Sequence, residues 1–152
     1  MLMPNKMGVS GVKQSVCKNS SPGDPMEFKT ESGQKESAGA YLVARALCYM
    51  KENYRNHLTL ANVAEQIFVS QWHLSKLLNR YTGKNFSELL NRVRIDEAIR
   101  LLADSSRRVG DIAVEVGFSD RSHFCHVFKR QVGISAGEYR ARLEKGENLD
   151  NF

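Results

Sequence analysis

The sequence predicts an all-α fold, and three observations carry that expectation. Apolar residues recur at helical spacing in successive stretches from about residue 40 onward, and no run alternates like a strand. All three prolines (Pro4, Pro22, Pro25) lie ahead of those stretches. Residues 1–39 hold the prolines and five of the eleven glycines and keep no sustained period, so they read as a flexible tail.

Seven helices follow in order. The first begins near Ser37 and presents Ala40, Val43, Leu47, Met50 and Tyr54 at steps of three and four. Thr59 is the expected N-cap of the second, with Leu60, Val63, Ala64 and Ile67 inward. Ser70 caps a third, with Leu74, Leu77, Leu78 and Tyr81 inward and Gly83 at its end. A longer helix runs roughly from Phe86 to Ala103 on Phe86, Leu90, Val93, Ala98 and Leu101 or Leu102. The short fifth carries Val109, Ile112, Ala113 and Val116 and stops at Gly117. The sixth follows Ser119 or Asp120, places Phe124, Val127 and Phe128 inward and ends near Gly133. The last starts at Ser135, whose spacing to Glu138 is that of a capping box, and runs to about Leu143.

Composition narrows the function classes. The 152 residues suit one domain, and 41% hydrophobic with 26% charged residues is an ordinary globular balance. No stretch approaches a membrane span, and the start MLMPNKMGVSGVK lacks the basic and apolar regions of a signal peptide. Cys17, Cys48 and Cys125 are odd in number and far apart, offering neither a disulfide framework nor a CxxC pair. A reducing, cytoplasmic setting is the expectation. The net charge of +5 is concentrated in residues 41–145, which hold 5 Lys and 12 Arg against 11 acids. Arginine's planar donor fork suits phosphate and guanine edges, although a surplus of this size is only suggestive of nucleic acid.

The chain also repeats itself. A shift of 49 lays Val63, Ala64 and Ile67 on Ile112, Ala113 and Val116. A shift of 50 lays Leu74, Leu77, Leu78 and Gly83 on Phe124, Val127, Phe128 and Gly133. The one-residue difference falls in a turn, where insertions are tolerated. Short helix, tight turn and second helix make a helix-turn-helix unit, here expected over residues 60–82 and 109–132.

On these residues the chain resembles the AraC/XylS family of bacterial transcription regulators. The likeness is carried by IAVEVGFSDRSHFCHVFKRQVGISAGEYR (Ile112–Arg140), with YMKENY, LANVAEQIFVSQWHLSKLLNRYTG and RIDEAIRLL upstream in the same order. It covers about residues 41–143, so the expected organisation is a tail over 1–39, a double helix-turn-helix domain over 40–143 and a C-terminal tail over 144–152. Two departures stand out. Ala136 replaces the family's usual proline, which should loosen the start of the last helix, and Phe68 occupies a first-turn position that is often glycine.

In such units the second helix enters the major groove and its N-terminal residues meet base edges. The resemblance implies contacts at Trp72, Ser75 and Lys76, and the same reasoning in the second unit gives Arg121, Ser122, Cys125 and His126. Arg121 is the strongest candidate, since arginine bidentate to guanine is the commonest specific contact. Trp72 stands off the apolar stripe, where an indole can meet a thymine methyl; the plain alternative is a core aromatic. For Arg121 the plain alternative is a solvated face or an ion pair with Asp120, and for Cys125 a packing role. Arg80, Lys84, Lys129 and Arg130 are candidates for phosphate contact. Arg94 reads as scaffolding that ties the long helix to one subdomain.

His123, Cys125 and His126 raise a metal reading, but no fourth ligand stands near them. Cys125 and His126 are adjacent and diverge by about 100° on a helix, so they do not form a nucleophile–base pair. No catalytic site, metal or cofactor is expected. The function expected is sequence-specific double-stranded DNA binding by a monomer of this chain, with RNA polymerase as a further partner. A linker helix of about 17 residues spans roughly 26 Å, against about 34–36 Å between successive major-groove faces. The rival expectation is a helical protein-interaction module that contacts the transcription machinery and binds DNA without sequence preference.

Overall fold

The computed structural model describes residues 31–149, with side chains described from residue 37. The first thirty residues of the expected tail therefore lie outside the described ones. Among the described residues there are seven helices and no strand: α1 (Glu31–Asn53), α2 (Leu60–Gln66), α3 (Gln71–Thr82), α4 (Phe86–Leu102), α5 (Val109–Glu115), α6 (Arg121–Val132) and α7 (Ala136–Glu144). They fall into two compact units, one holding α1 to α3 and the other residues 53–58 with α4 to α7. The long helix α4, expected as a linker, thus belongs to the second unit.

In the first unit, helix α1 is already formed at Glu31, ahead of the expected start near Ser37. Its buried line is Val43, Ala46 and Met50, while Ala40 is exposed and Leu47 half-buried. The expected face is therefore rotated by about one residue. Thr59 caps α2 through a full capping box: its hydroxyl accepts the Asn62 N–H at 3.1 Å, and the Asn62 carbonyl accepts the Thr59 N–H at 3.0 Å. Ser70 caps α3 by accepting the His73 N–H at 3.1 Å, and Gly83 closes it at φ 71°. Val63, Ala64, Ile67, Leu74, Leu77 and Leu78 are buried, which is the pattern read from their spacing.

The second unit repeats this plan with an aromatic interior. Phe124 and Phe128 are fully buried, and Phe118, Phe124, Phe128 and Tyr139 form a chain of ring contacts with centroids 5.3 to 5.9 Å apart. Edge-to-face and tilted pairs at that separation add attraction beyond simple area burial. Leu89 and Ile95 of α4 are buried, whereas Phe86 and Val93 are only half-buried. Ala136 opens α7 as a buried residue, and the Ser135 hydroxyl accepts the Glu138 N–H at 3.1 Å, so packing and a cap hold that helix start. Leu149 is buried as well, within the stretch expected as a C-terminal tail.

Cys125 is a free, exposed thiol. None of the described helices is long and apolar enough to cross a membrane.

Candidate nucleic-acid interface

Each unit builds one short helix, a tight turn and a second helix whose outer face is exposed. In α3 the buried line Leu74, Leu77 and Leu78 leaves Trp72, Ser75, Lys76 and Arg80 exposed on the other side. Trp72 is 71% exposed, so it is no core residue. Lys76, one turn further on, holds its ammonium 5.3 Å from the indole centroid. A cation over an exposed aromatic ring is worth about 0.5–1 kcal/mol, enough to bias both side chains toward one arrangement. The stretch from Gln66 to Ser87 contains no acidic residue, so nothing along the chain there opposes an approaching phosphate.

In α6 the line Phe124, Val127, Phe128 and Val132 is buried, and Arg121, Ser122, Cys125, His126, Lys129 and Arg130 are exposed. Asp120 is the N-cap: its two carboxylate oxygens accept the N–H groups of Ser122 at 3.1 Å and His123 at 3.2 Å. That carboxylate serves the helix end, which leaves Arg121 with a guanidinium on an exposed first turn. The Arg121 stem passes over Gly110, where an added Cβ would meet its Cδ at 3.7 Å. The exposure of Cys125 removes the packing alternative. His123 sets its ring edge-on to Phe118, with centroids 5.4 Å apart. Among the described residues no group of three or more His, Cys, Asp or Glu is placed to hold a metal ion.

Behind α6 lies a polar clamp that the sequence indicated only in outline. Arg94 donates from Nε to the Tyr54 carbonyl at 2.8 Å and from Nη2 to the Asn56 carbonyl at 3.0 Å. Its guanidinium also stands 5.6 Å over the Phe118 ring. Burial pushes this arginine below its ordinary pKa, as desolvation penalises the charged form. Glu115 pairs with Arg55 at 3.5 Å and with Arg107, which also reaches Asp104 at 3.2 Å. These contacts fasten residues 53–58 and the α4–α5 loop around the second helix-turn-helix.

Exposed apolar side chains were the feature that spacing did not reveal. Phe68, in the first turn, is 88% exposed at φ 61°, and Val114 on α5 is 71% exposed. The available signal for Phe68 was the 49-residue shift, which sets it opposite Gly117.

The fold agrees with known proteins. A helix-turn-helix domain family model matches residues 63–142, just over half of the chain. The regulatory protein PocR of Salmonella typhimurium is 32% identical over 104 residues, covering 68% of this chain and 34% of that protein. The HTH-type transcriptional activator AarP of Providencia stuartii is 28% identical over 116 residues, covering 76% of this chain and 84% of that one. A crystal structure of a Chromobacterium violaceum transcriptional regulator, of the AraC-type DNA-binding-domain class, superposes with a TM-score of 0.66 at 25% identity. It covers 70% of this chain and 95% of that one. The chain spans 34–40% of the length of three of the curated relatives it matches. From the repeated helix-turn-helix, the family match and these neighbours together, the chain belongs to the AraC/XylS family of helix-turn-helix transcription regulators.

Proposed function

We propose that this chain is a sequence-specific double-stranded DNA-binding transcription regulator in which α3 and α6 each read one major-groove segment. One observation carries the reading: each helix has a side-chain-capped N-terminus, a buried inner line and an exposed outer line of hydrogen-bonding, cationic or aromatic groups. Trp72, Ser75 and Lys76 form the first reading set. The indole and the lysine stem offer apolar contact to a thymine methyl, and the ammonium meets a base acceptor or a phosphate. Arg121, Ser122, Cys125 and His126 form the second, with Arg121 directed at a guanine. Arg80, Lys84, Lys129 and Arg130 hold phosphates and set register. The chain acts as a cytoplasmic monomer without catalytic activity, and RNA polymerase is a further partner.

Selection of binding sites from random DNA tests this directly. The expected outcome is a two-part asymmetric sequence, with Arg121→Ala costing about 1–3 kcal/mol of specific affinity and relaxing one base position in one part. Sequence-blind enrichment would instead favour a protein-interaction module with incidental DNA affinity.

A further inference from the structure

The two turns are built alike, yet only one is covered. In the first, the Phe68 N–H donates to the Glu65 carbonyl at 3.2 Å and the Val69 N–H to the Ala64 carbonyl at 3.0 Å. In the second, Gly117 and Phe118 donate in the same way to Val114 and Ala113, each at 3.0 Å. Phe68 and Gly117 both take a positive φ, so a side chain at either position leaves its turn on the same side. At Gly117 that side is occupied: a Cβ would stand 2.5 Å from the Tyr54 carbonyl oxygen and 2.9 Å from Arg94 Nε. A peptide segment and an arginine cover the second turn, with the guanidinium over the Phe118 ring. At Phe68 the same side opens to solvent, and Val69, the counterpart of buried Phe118, is only half-buried.

A bulky aromatic residue in the left-handed region is strained, and a ring 88% exposed recovers little by packing against the described residues. Nucleic acid is a poor occupant for this flank. No lysine or arginine occurs between Arg55 and Lys76, and the exposed Glu65 lies one turn before the ring.

We propose that the α2–α3 turn is a protein-docking point. Phe68 and Val69 receive a polypeptide segment of the transcription machinery that lays an arginine or lysine across the ring, its charge beside Glu65. The inference rests on the DNA-binding reading above and gives its partner surface an address. It supplies from outside what Arg94 and residues 54–56 supply within the second unit.

The test uses the full chain with Phe68→Gly, which removes the ring and suits the positive φ, and Phe68→Asn as a polar second variant. Three quantities are read: the melting temperature, the Kd for a selected DNA site, and association of purified RNA polymerase holoenzyme with the chain on that DNA. The expected result is an unchanged or higher melting temperature, DNA affinity within about twofold, and polymerase association weakened by about tenfold or more, as for a buried aromatic anchor. Loss of DNA affinity in both variants would make the ring a nucleic-acid contact and overturn the proposal. So would polymerase association that is absent in the unaltered chain or unchanged in the variants. A self-association of the unaltered chain that Phe68→Gly abolishes would overturn it in favour of a second copy. If the unaltered chain selects no DNA sequence at all, the underlying reading fails first, and the random-DNA selection shows that separately.

Discussion

The two helix-turn-helix units use one backbone plan and two chemistries. Their second helices have the same length, are capped by a side chain that accepts the N–H of the third helical residue, and end on a glycine at positive φ. Their interiors differ: leucines fill the first, and a chain of aromatic rings fills the second. Their outer faces differ more, with a tryptophan–lysine pair on α3 and an arginine-led polar set on α6. What repeats is what the fold requires of a short helix packed at a tight turn. What diverges most is the exposed face of each second helix. A chain with two such faces is suited to an asymmetric target, since neither half needs to resemble the other.

The difference in the interiors sets the largest predicted effect. Phe124→Ala empties a fully buried position in the ring chain and should cost about 3–5 kcal/mol. Chemical denaturation checks this, with Leu74→Ala in the first unit expected at about 2–5 kcal/mol. A cost below about 1 kcal/mol at Phe124 would mean that the aromatic core does not hold the second unit together.

The turns provide a sharper contrast, because the same position should respond with opposite sign. Gly117→Ala forces a Cβ against the Tyr54 carbonyl at a backbone angle that alanine resists, and should destabilise by about 1–3 kcal/mol. Phe68→Gly relieves a left-handed aromatic and should stabilise by about 1 kcal/mol. Thermal unfolding of both variants reads the two signs, and equal signs would contradict the matched-turn account.

A smaller effect belongs to the acid limb of the second unit. Arg100 grips the Glu97 carboxylate through Nη2 at 2.7 Å and Nε at 2.9 Å, and Tyr54 donates to it at 3.3 Å, which holds this carboxyl below the usual range. A carboxylate whose folded pKa is depressed stabilises fully above its unfolded pKa and loses that contribution as pH falls through the folded one. Stability should therefore drop below about pH 4.3, and Glu97→Gln should flatten that part of the profile. Urea midpoints measured from pH 6 to pH 3 would show it.

Much of this was legible in the residues themselves. Thr59, Ser70 and Ser135 act as caps where their positions ahead of apolar runs indicated, and the inward lines of α3 and α6 follow their three-and-four spacing. Local chemistry decides such features. The harder cases were those in which tertiary neighbours decide. The α1 stripe includes Ala46 rather than Ala40, and α4 buries Leu89 and Ile95, because α4 carries apolar residues on more than one side and packing chooses among them. At Arg94, the family resemblance of the long helix suggested scaffolding but not two specific carbonyls and a ring. The solvent exposure of Phe68 was hidden because its residue type argues for burial; only its pairing with Gly117 pointed otherwise.

The central claim is that both units touch DNA, and the most direct measurement is a salt titration with footprinting of the unaltered chain and of Arg121→Ala combined with His126→Ala. Phosphate contacts release counterions with a log–log slope of about −0.9 each, so about six contacts give a slope near −5. The double variant should show a smaller slope and a footprint reduced to the single segment read by α3. An unchanged slope with an unchanged two-segment footprint would show that the second unit is a packing element, and would leave Trp72, Ser75 and Lys76 as the only readers.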